Sequence, residues 1–366
     1  MTIFKTTFLL FFIAIFNFVN AQPASNSNDT KTGILSFYRA DHPSFQYTGR
    51  IDFTNPSLPR FWSPGVYIQA KFKGPYCEIQ INDEVLWGSS HNYLEIVIDD
   101  NKPFRIQTTG KSNSIVVARN LSNTVHTITI CKNTESNIGY IEFGGMKCVA
   151  LLPLTVKPER KIEFIGNSIT CGMGSDLSTV ACDKGEWYDQ HNAYLSYGPT
   201  TARALNVQWH LSAVSGIGLI HSCCNLKITM PEVFDKINLH EDSIQWNFKN
   251  YQPEVVTICL GQNDGIQDSV KFTGTYTSFI NQLRKHYPAA DIVCLTSPMA
   301  DEKLTAVLKN YLSGIVDFAN KNGDQKIHKY FFSKRYFHGC GSHPDLKEHQ
   351  QMAGELTSFI KKIKRW

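Results

Sequence analysis

The 366-residue sequence lacks the loop signatures of nucleotide-binding proteins and has no C-x-x-C pair of cysteines. Neither G-x-x-x-x-G-K-[ST] nor G-x-G-x-x-G occurs, which excludes a P-loop and a dinucleotide-binding loop. None of the ten cysteines is spaced C-x-x-C, so a zinc ribbon or a thioredoxin-like motif has no support. Internal repeats are also absent. Nucleotide, redox-motif and repeat-protein functions are therefore set aside.

Long apolar runs are missing outside the first 21 residues. Those residues carry one charge, Lys5, followed by the apolar stretch Phe8–Val19 and a small residue at Ala21. This layout is typical of a cleaved secretory signal peptide, and the stretch is too short for a spanning helix. We therefore expect residues 1–21 to be removed and the product to be exported, to a periplasm or out of the cell.

The sequence also has little excess of charge of either sign. The formal net charge is +4, and the sequence ends in a cluster of Lys361, Lys362, Lys364 and Arg365. Without this cluster the body of the chain is close to neutral. We therefore expect no dedicated surface for nucleic acid or for a membrane.

The cysteines fall into two groups. Cys259 and Cys294 lie in apolar runs, where cysteine usually acts as a small buried hydrophobic residue. In an exported protein the cysteines near predicted loops could pair, and the sequence does not assign the pairing. These loop cysteines are Cys171, Cys182, Cys223, Cys224 and Cys340.

Residues 22–156 are predicted to form an all-β domain. Short alternating or β-branched segments at 92–100, 114–121, 126–133 and 139–148 are separated by turn residues. This spacing, with little helical periodicity, is typical of a β-sandwich or a jelly roll.

The pattern changes in residues 157–366, where apolar strands alternate with helical stretches. The predicted strands are 161–166, 207–214, 254–261, 291–298 and 327–333. The predicted helices are 199–206, 270–287 and 301–320, with a last helix that begins near Pro344. Such alternation predicts an α/β domain, in which helices cover both faces of a parallel sheet.

A serine follows the first strand of this second domain. The stretch FIGNSITCGMG (164–174) puts Ser168 just past the carboxyl end of the strand, where α/β sheets bind ligands. The stretch approaches the nucleophile elbow G-x-S-x-G, but Thr170 replaces the last glycine. Taken alone, a serine at this place is more often a helix N-cap than a nucleophile.

The other strand ends favour catalysis. The second strand is followed by VSGIGL with Gly216, the third by GQND with Asn263, and the last by HGCGSHPD with His343. Acyl transfer needs a nucleophile, a base and donors for an oxyanion, and these residue types can supply all three. The four stretches together predict an acyl-transfer site at one edge of the sheet.

The blocks GNSITCGMG, SGIG, GQND and HPD resemble those of the SGNH (GDSL-type) hydrolases, and the match is closer still to carbohydrate esterase family 2. The resemblance covers essentially the whole chain after residue 21. It implies a jelly roll followed by an SGNH domain, and an enzyme that removes acetyl groups from plant-type polysaccharides without a metal or organic cofactor. By the same resemblance Ser168 is the nucleophile and His343 the base, while the Ser168 and Gly216 amides and the Asn263 side chain form the oxyanion hole.

Two departures from the family pattern bear on the chemistry. Asn167 stands where the first block usually has aspartate, and we expect it to tune the loop. The positions two and three before His343, where an aspartate is usual, hold Gly341 and Cys340. Family members that resemble a Ser–His dyad orient the ring with a backbone carbonyl, so we hypothesise a dyad here. Asp345 is the nearest carboxylate, and we expect it at the amino end of the last helix.

The aromatic-rich loop 182–198 is where substrate selectivity is expected. Its Trp187, Tyr188 and Tyr194 could stack against a sugar ring, although Tyr194 could equally pack against the following helix. In the first domain, Trp62 and Trp87 are either a carbohydrate platform or ordinary core.

Two other functions stay open. A lipid or aryl esterase is possible for an SGNH domain, but no apolar lid is visible. A carbohydrate-binding protein with a weak or inactive esterase domain is favoured by the missing aspartate and disfavoured by the four intact blocks. The stretch HSCCN (221–225) offers potential metal ligands, but adjacent cysteines rarely bind one ion together.

Overall fold

The computed structural model describes residues 33–154, 156–241 and 244–366. The signal-peptide prediction for residues 1–21 lies outside the described residues. The described chain contains an antiparallel β part followed by an α/β part with a parallel sheet, which confirms the predicted fold class. Residues 33–366 pack as one unit, so the domain boundary at 156/157 stays a prediction from the sequence.

The β part contains nine strands in the described residues. They are Ser36–Arg39 (β1), Gln46–Thr48 (β2), Arg60–Phe61 (β3), Tyr67–Asp83 (β4), Tyr93–Ile98 (β5), Phe104–Gln107 (β6), Ser112–Ala118 (β7), Val125–Lys132 (β8) and Ile141–Leu152 (β9). A 3₁₀ turn at Ser136–Ile138 joins β8 to β9.

The long strand β4 organises this sheet. Its first half, 67–73, pairs with β8, and its second half, 77–82, pairs with β7, while β9 lies along its other edge. The register shifts around Gly74 and Pro75, where the proline cannot donate to the ladder. Alternate β4 side chains such as Ile68, Phe72 and Ile79 are buried. The two halves of β4 therefore enclose one apolar core.

The α/β part contains five strands in the described residues, in the order β11-β10-β12-β13-β14 and all parallel. They are Lys161–Gly166 (β10), Gln208–Ala213 (β11), Val255–Cys259 (β12), Asp291–Leu295 (β13) and Ile327–Tyr330 (β14). The α-helices are Ser168–Cys171 (α1), Tyr197–Ala204 (α2), Met230–Val233 (α3), Ser269–His286 (α4), Glu302–Lys321 (α5) and Leu346–Lys364 (α6).

Alternating strand residues cover both faces of the parallel sheet. Phe164 of β10 points into a core with α2 and α6, and the next residue, Ile165, points into a core with α4 and α5. This alternation follows from the two-residue repeat of a strand. The predicted layering, with helices on both faces, is thus confirmed.

The strand order reverses at β10. The chain leaves β10 for β11 on one side and then crosses to β12 on the other side. In open α/β sheets a crevice forms at this reversal, outside the carboxyl ends of the strands. Ser168 follows β10 and Asn263 follows β12, so both lie at the crevice.

Most predicted elements of the α/β part are present within two or three residues of their predicted bounds. The start of the last helix is different: Asp345 is its N-cap, closing a capping box with Glu348, and Pro344 precedes the cap. Pro344 is therefore outside the helix, not at its first position. Asp345 lies at the amino end of this helix, as expected.

Buried polar contacts join the two parts. The Arg50 guanidinium of the β part lies 3.1 Å from the Glu163 carboxylate of β10, and neither side chain is exposed. The Trp209 indole N–H of β11 donates to the Gly65 carbonyl at 2.9 Å, and its ring stacks on Tyr67. Because a broken buried charge pair is costly, these contacts fix the β part against the sheet.

Candidate active site

Ser168 and His343 meet at the carboxyl edge of the parallel sheet. The Ser168 Oγ lies 2.8 Å from the His343 Nε2. Ser168 is the first residue of α1, and the Asn167 side chain caps this helix by accepting from the Ile169 amide at 3.2 Å. The Ser168 amide has no partner inside the helix, as is usual at a helix start. The turn therefore presents a hydroxyl and a backbone amide side by side.

Backbone carbonyls face the other nitrogen of the His343 ring. The His343 Nδ1 lies 3.1 Å from the Gly341 carbonyl oxygen and 3.3 Å from that of Cys340. A carbonyl can only accept, so Nδ1 carries the proton and Nε2 is left as the acceptor toward Ser168. The Asp345 carboxylate is engaged elsewhere, because it accepts from the Glu348 amide at 2.7 Å.

The surroundings of His343 favour its neutral form. Burial lowers the pKa of His343 below its ordinary value, and the two carbonyls oppose this shift only in part. Desolvation disfavours the charged imidazolium, which explains the direction. The ring is accordingly ready to accept a proton at neutral pH.

Gly216 and Asn263 lie beside this pair. Both line a cleft of about 380 Å³ that also contains Ser168 and His343. Gly216 has a φ of 83°, a left-handed conformation that favours glycine. The Asn263 Nδ2 donates one hydrogen to the Ile217 carbonyl at 2.8 Å, which orients the amide and leaves its second N–H free to bind.

Apolar and aromatic groups form the walls of this cleft. Met173, Met299, Trp187 and the Cys223–Cys224 disulfide surround the serine. A larger cleft of about 890 Å³ adjoins it, since both are lined by Trp187, Ser215 and others. Three aromatic residues of the β part line the larger cleft: Trp62, Trp87 and Tyr140. The two clefts form a small pocket at the serine that opens into a wide aromatic groove.

Two family models match the chain. The model described as "Carbohydrate esterase 2 N-terminal" matches residues 47–157, and the model of the GDSL-like lipase/acylhydrolase family matches residues 164–327. The two matches correspond to the β part and to most of the α/β part.

Curated and solved relatives agree with these matches. Cellulase/esterase CelE of Acetivibrio thermocellus is 30% identical over 338 residues, which is 89% of this chain and 40% of that protein. An acetylxylan esterase/glucomannan deacetylase of Cellvibrio japonicus is 26% identical, covering 93% of this chain and 96% of that protein. The structure of a family two carbohydrate esterase from Clostridium thermocellum, in complex with cellohexaose, superposes with a TM-score of 0.80 at 29% identity, over 88% of this chain and 99% of that chain.

The chain belongs to the family 2 carbohydrate esterases. The chain is accordingly a carboxylic ester hydrolase, in which the carbohydrate esterase 2 N-terminal domain precedes the GDSL-like domain. This family member spans less than half of CelE and nearly all of the Cellvibrio japonicus relative.

The aromatic residues of loop 182–198 have different positions in this esterase family member. Trp187 is 46% exposed and lines both clefts. Tyr188 is only 3% exposed, and its hydroxyl accepts from the His91 amide at 3.2 Å. Tyr194 is 6% exposed and lies under the Arg203 guanidinium at 3.9 Å. The expected sugar stacking by Tyr188 and Tyr194 is therefore wrong, because their rings are packed in the interior.

The two tryptophans of the β part lie at the groove, which excludes the alternative that they belong to the core. Trp87 is 86% exposed, and Trp62 is half-buried with its ring edge-on to Tyr140. Both contribute to the larger cleft, so neither belongs to the core of the β part.

Two disulfides form among the loop cysteines. Cys182 pairs with Cys340, and Cys223 pairs with its neighbour Cys224, while Cys171 is free and buried. Cys340 also donates its amide to the Gly174 carbonyl at 2.8 Å. A Cβ at Gly174 would lie 2.6 Å from the Cys340 carbonyl, so only glycine allows this approach. Cys259 and Cys294 are buried and unpaired, as predicted.

Sequence reasoning missed two carboxylates near the site. The Asp264 carboxylate accepts the amides of Leu219, Ile220 and His221 at 2.7–3.0 Å, and so shapes the loop that leads to the Cys223–Cys224 disulfide. Glu135, from the β part, accepts the Ser215 amide. The motif GQND contains Asp264 and so gave a weak indication of its role, whereas no sequence motif indicated Glu135.

No group of three or more His, Cys, Asp or Glu side chains suited to a metal ion occurs in residues 33–154, 156–241 and 244–366. Cys223 and Cys224 of HSCCN are bonded to each other. Across the same described residues, no helix is both long and apolar enough to span a membrane.

Proposed function

We propose that this chain is an exported serine esterase that removes O-acetyl groups from plant-type polysaccharides or oligosaccharides, such as xylan and glucomannan. It does so with a Ser168–His343 dyad and an oxyanion hole. The observation that carries the proposal is the 2.8 Å contact between Ser168 Oγ and His343 Nε2, with the opposite ring nitrogen on backbone carbonyls. Export rests on the sequence of residues 1–21.

The first half of the reaction acylates the serine. His343 Nε2 takes the proton from Ser168 Oγ as this oxygen attacks the acetyl carbonyl carbon. Negative charge then develops on the carbonyl oxygen and is stabilised by the amides of Ser168 and Gly216 and by the Asn263 side chain. When the carbon–oxygen bond to the sugar breaks, the sugar oxygen takes the proton from Nε2 and leaves as an alcohol.

The second half regenerates the enzyme. Water attacks the acetyl-serine carbonyl and gives its proton to His343 Nε2. The bond to Ser168 Oγ then breaks, Oγ regains the proton, and acetic acid leaves and ionises to acetate. The Gly341 and Cys340 carbonyls hold the Nδ1 proton throughout, which fixes the tautomer but stabilises the imidazolium less than a carboxylate would.

The shape of the site supports an acetylated sugar as substrate. The small pocket at Ser168 has methionine and disulfide walls, which suit an acetyl group, and the adjoining groove has tryptophan and tyrosine side chains. Aromatic faces of this kind are well suited to the apolar faces of sugar rings. Relatives named as acetylxylan esterase/glucomannan deacetylase support the same substrate class.

The test is acetate release by the purified protein from acetylated xylan, acetylated glucomannan and a chromogenic acetate, with Ser168→Ala as the matched control. We expect release that the variant abolishes, and a faster rate on one of the polymers. A serine-reactive organophosphonate should label the wild type and not Ser168→Ala.

Other outcomes would replace the proposal. Release from long-chain or aryl esters alone would indicate a lipid or aryl esterase. Binding to the polymers with no release and no labelling would indicate a carbohydrate-binding protein with an inactive esterase domain.

A further inference from the structure

Glu135 is a fully buried carboxylate that the catalytic steps above do not use. It belongs to the β part, in the link between β8 and β9, yet its side chain reaches the loop that follows β11. Its Oε2 accepts the Ser215 amide at 2.6 Å, and its Oε1 accepts the Ser215 hydroxyl and lies 3.2 Å from the His191 Nε2. Both carboxylate oxygens are thus occupied by the far side of the interface between the two parts.

The residue held in this way directly precedes Gly216. Ser215 lines the catalytic cleft, and the Gly216 amide is the next donor along the chain. Gly216 has little conformational restraint of its own, since glycine allows many φ values. The orientation of its amide therefore depends on what anchors its neighbours. On one side this anchor is Glu135; on the other it is the Cys223 amide, which donates to the Gly216 carbonyl at 2.9 Å.

We infer that Glu135 is a positioning residue for the oxyanion hole: it holds the Ser215–Gly216 turn from the β part so that the Gly216 amide points at the developing oxyanion. The inference rests on the proposed function, because the oxyanion hole belongs to that mechanism. It gives the β part a role in the chemistry as well as in binding sugars.

The charge of Glu135 suits this task. The hydrogen bonds from His191 and Ser215 hold the pKa of the Glu135 carboxyl below its usual range, although burial alone would raise it. An ionised carboxylate accepts on both oxygens, and hydrogen bonds to a charged acceptor are shorter and stronger than neutral ones. The buried Lys132 Nζ also lies close, donating to the Glu135 backbone carbonyl at 3.2 Å. A neutral acceptor at this position would hold the turn less firmly.

A matched control exists in the same interface. Glu163 is also fully buried, pairs with Arg50 of the β part at 3.1 Å, and accepts from a β11 serine, Ser212 Oγ, at 2.5 Å. It is the third residue of β10, three residues before the carboxyl end of the strand, and neither Arg50 nor Ser212 lines either cleft. Glu163→Gln therefore removes the same kind of charge from the same interface without touching the oxyanion turn.

The experiment compares Glu135→Ala, Glu135→Gln and Glu163→Gln for kcat, KM and thermal unfolding. An oxyanion donor acts mainly in the transition state, so its displacement lowers kcat more than it raises KM. We expect Glu135→Ala to lower kcat about 10- to 100-fold, somewhat less than the loss of a whole donor. Glu135→Gln keeps one accepting oxygen and should fall between this variant and the wild type. Glu163→Gln should lower the unfolding temperature while kcat stays close to wild type.

Amide hydrogen exchange at Ser215 tests the anchoring separately from turnover. Glu135→Ala should speed exchange of the Ser215 amide, and Glu163→Gln should not. Unchanged kcat and unchanged Ser215 exchange in Glu135→Ala would overturn the inference. Equal losses of kcat in Glu135→Ala and Glu163→Gln would overturn it too, because they would reflect general loosening of the interface. A wild type that releases no acetate would instead contradict the proposed function. The exchange experiment would still show whether Glu135 anchors Ser215.

Discussion

The two loops that carry Ser168 and His343 are held in place by different means. The serine loop, residues 166–174, follows β10 directly, with Asn167 alone between the strand and α1. The histidine loop, residues 331–345, is a long irregular segment between β14 and α6. Ser168 is therefore placed by regular secondary structure, and His343 is placed by contacts made after the chain has left the sheet.

Those contacts tie the histidine loop to the serine loop itself. The Cys340 amide donates to the Gly174 carbonyl at 2.8 Å, and directly after both loops the Leu346 amide donates to the Ser175 carbonyl at 3.1 Å. The Cys182–Cys340 disulfide adds a covalent link to the loop after Gly174. The two carbonyls that face the His343 Nδ1 are thus held in place relative to Ser168, and in the proposed dyad they take the place of a carboxylate partner.

The largest effect should come from removing either reacting side chain. Ser168→Ala and His343→Ala should each lower kcat more than about 10⁴-fold, because nucleophile and base act as one unit. The double variant should lose little beyond either single variant. Acetate release under saturating substrate measures this, with thermal unfolding as the check on folding. Additive losses would show that the two loops act independently.

Breaking the disulfide that holds the histidine loop should have the next largest effect. The double variant Cys182→Ala with Cys340→Ala keeps the Cys340 carbonyl but lets it drift, so we expect kcat to fall about 10- to 100-fold. The disulfide closes a loop with a sequence separation of 158. Its loss should therefore lower the free energy of unfolding by about 2–5 kcal/mol.

The second disulfide supplies the control for this prediction. Cys223 and Cys224 are adjacent, so their bond closes almost no chain. Cys223→Ala with Cys224→Ala should leave the free energy of unfolding close to wild type, and any effect should appear in KM, since this disulfide lines the cleft. Denaturant unfolding and steady-state kinetics measure both. Equal destabilisation by the two double variants would contradict the prediction that the Cys182–Cys340 disulfide holds the histidine loop in place.

A smaller effect should appear in the pH profile. The base must be neutral, so kcat/KM should fall as pH drops through the pKa of His343, by about tenfold per pH unit below it. Because burial lowers this pKa, the acid limb should lie below the ordinary histidine value of about 6.5. An acid limb centred above pH 7 would indicate a carboxylate that raises the pKa of the ring. The profile is measured on the chromogenic acetate.

The smallest effect should come from Asp345→Asn. The carboxylate caps α6, and asparagine is an equally good N-cap, so stability should change by only a few tenths of a kcal/mol. If the carbonyls alone orient His343, kcat should stay within about twofold of wild type. A loss as large as that of His343→Ala would make Asp345 the third member of a triad. Asp301→Asn, at the cap of α5, is the matched control.

The residues that follow strands could be located from the sequence. Ser168, Gly216 and Asn263 each come two to four residues after the end of a parallel strand, and the carboxyl ends of such strands meet at one edge. The sequence pattern therefore predicted that they lie together, and the motif HPD added His343. The parallel sheet was equally clear, because its strands are short apolar runs between amphipathic helices.

What the sequence could not provide depends on contacts between distant segments. Glu135 contacts Ser215 across 80 positions and between the two parts of the chain, and no local pattern records such a pair. Tyr188 and Tyr194 look like Trp187 in the sequence, but the direction of a loop side chain is set by what packs around it. The first strands of the β part, β4 among them, were not located individually from the sequence. In β4 the pair Gly74-Pro75 interrupts the alternation of apolar and polar residues.

The order of the catalytic residues along the chain has a consequence for biosynthesis. Ser168 precedes His343 by 175 residues, and α6, which follows His343, packs on α2, where the His349 Nδ1 accepts the Tyr197 amide at 3.1 Å. A ribosome that adds about 5–20 residues per second needs roughly 9–35 s to travel from one to the other. Throughout that interval the nascent polypeptide contains Ser168 but not His343, so under the proposed mechanism no ester can be cleaved until the segment with His343 and α6 has been made.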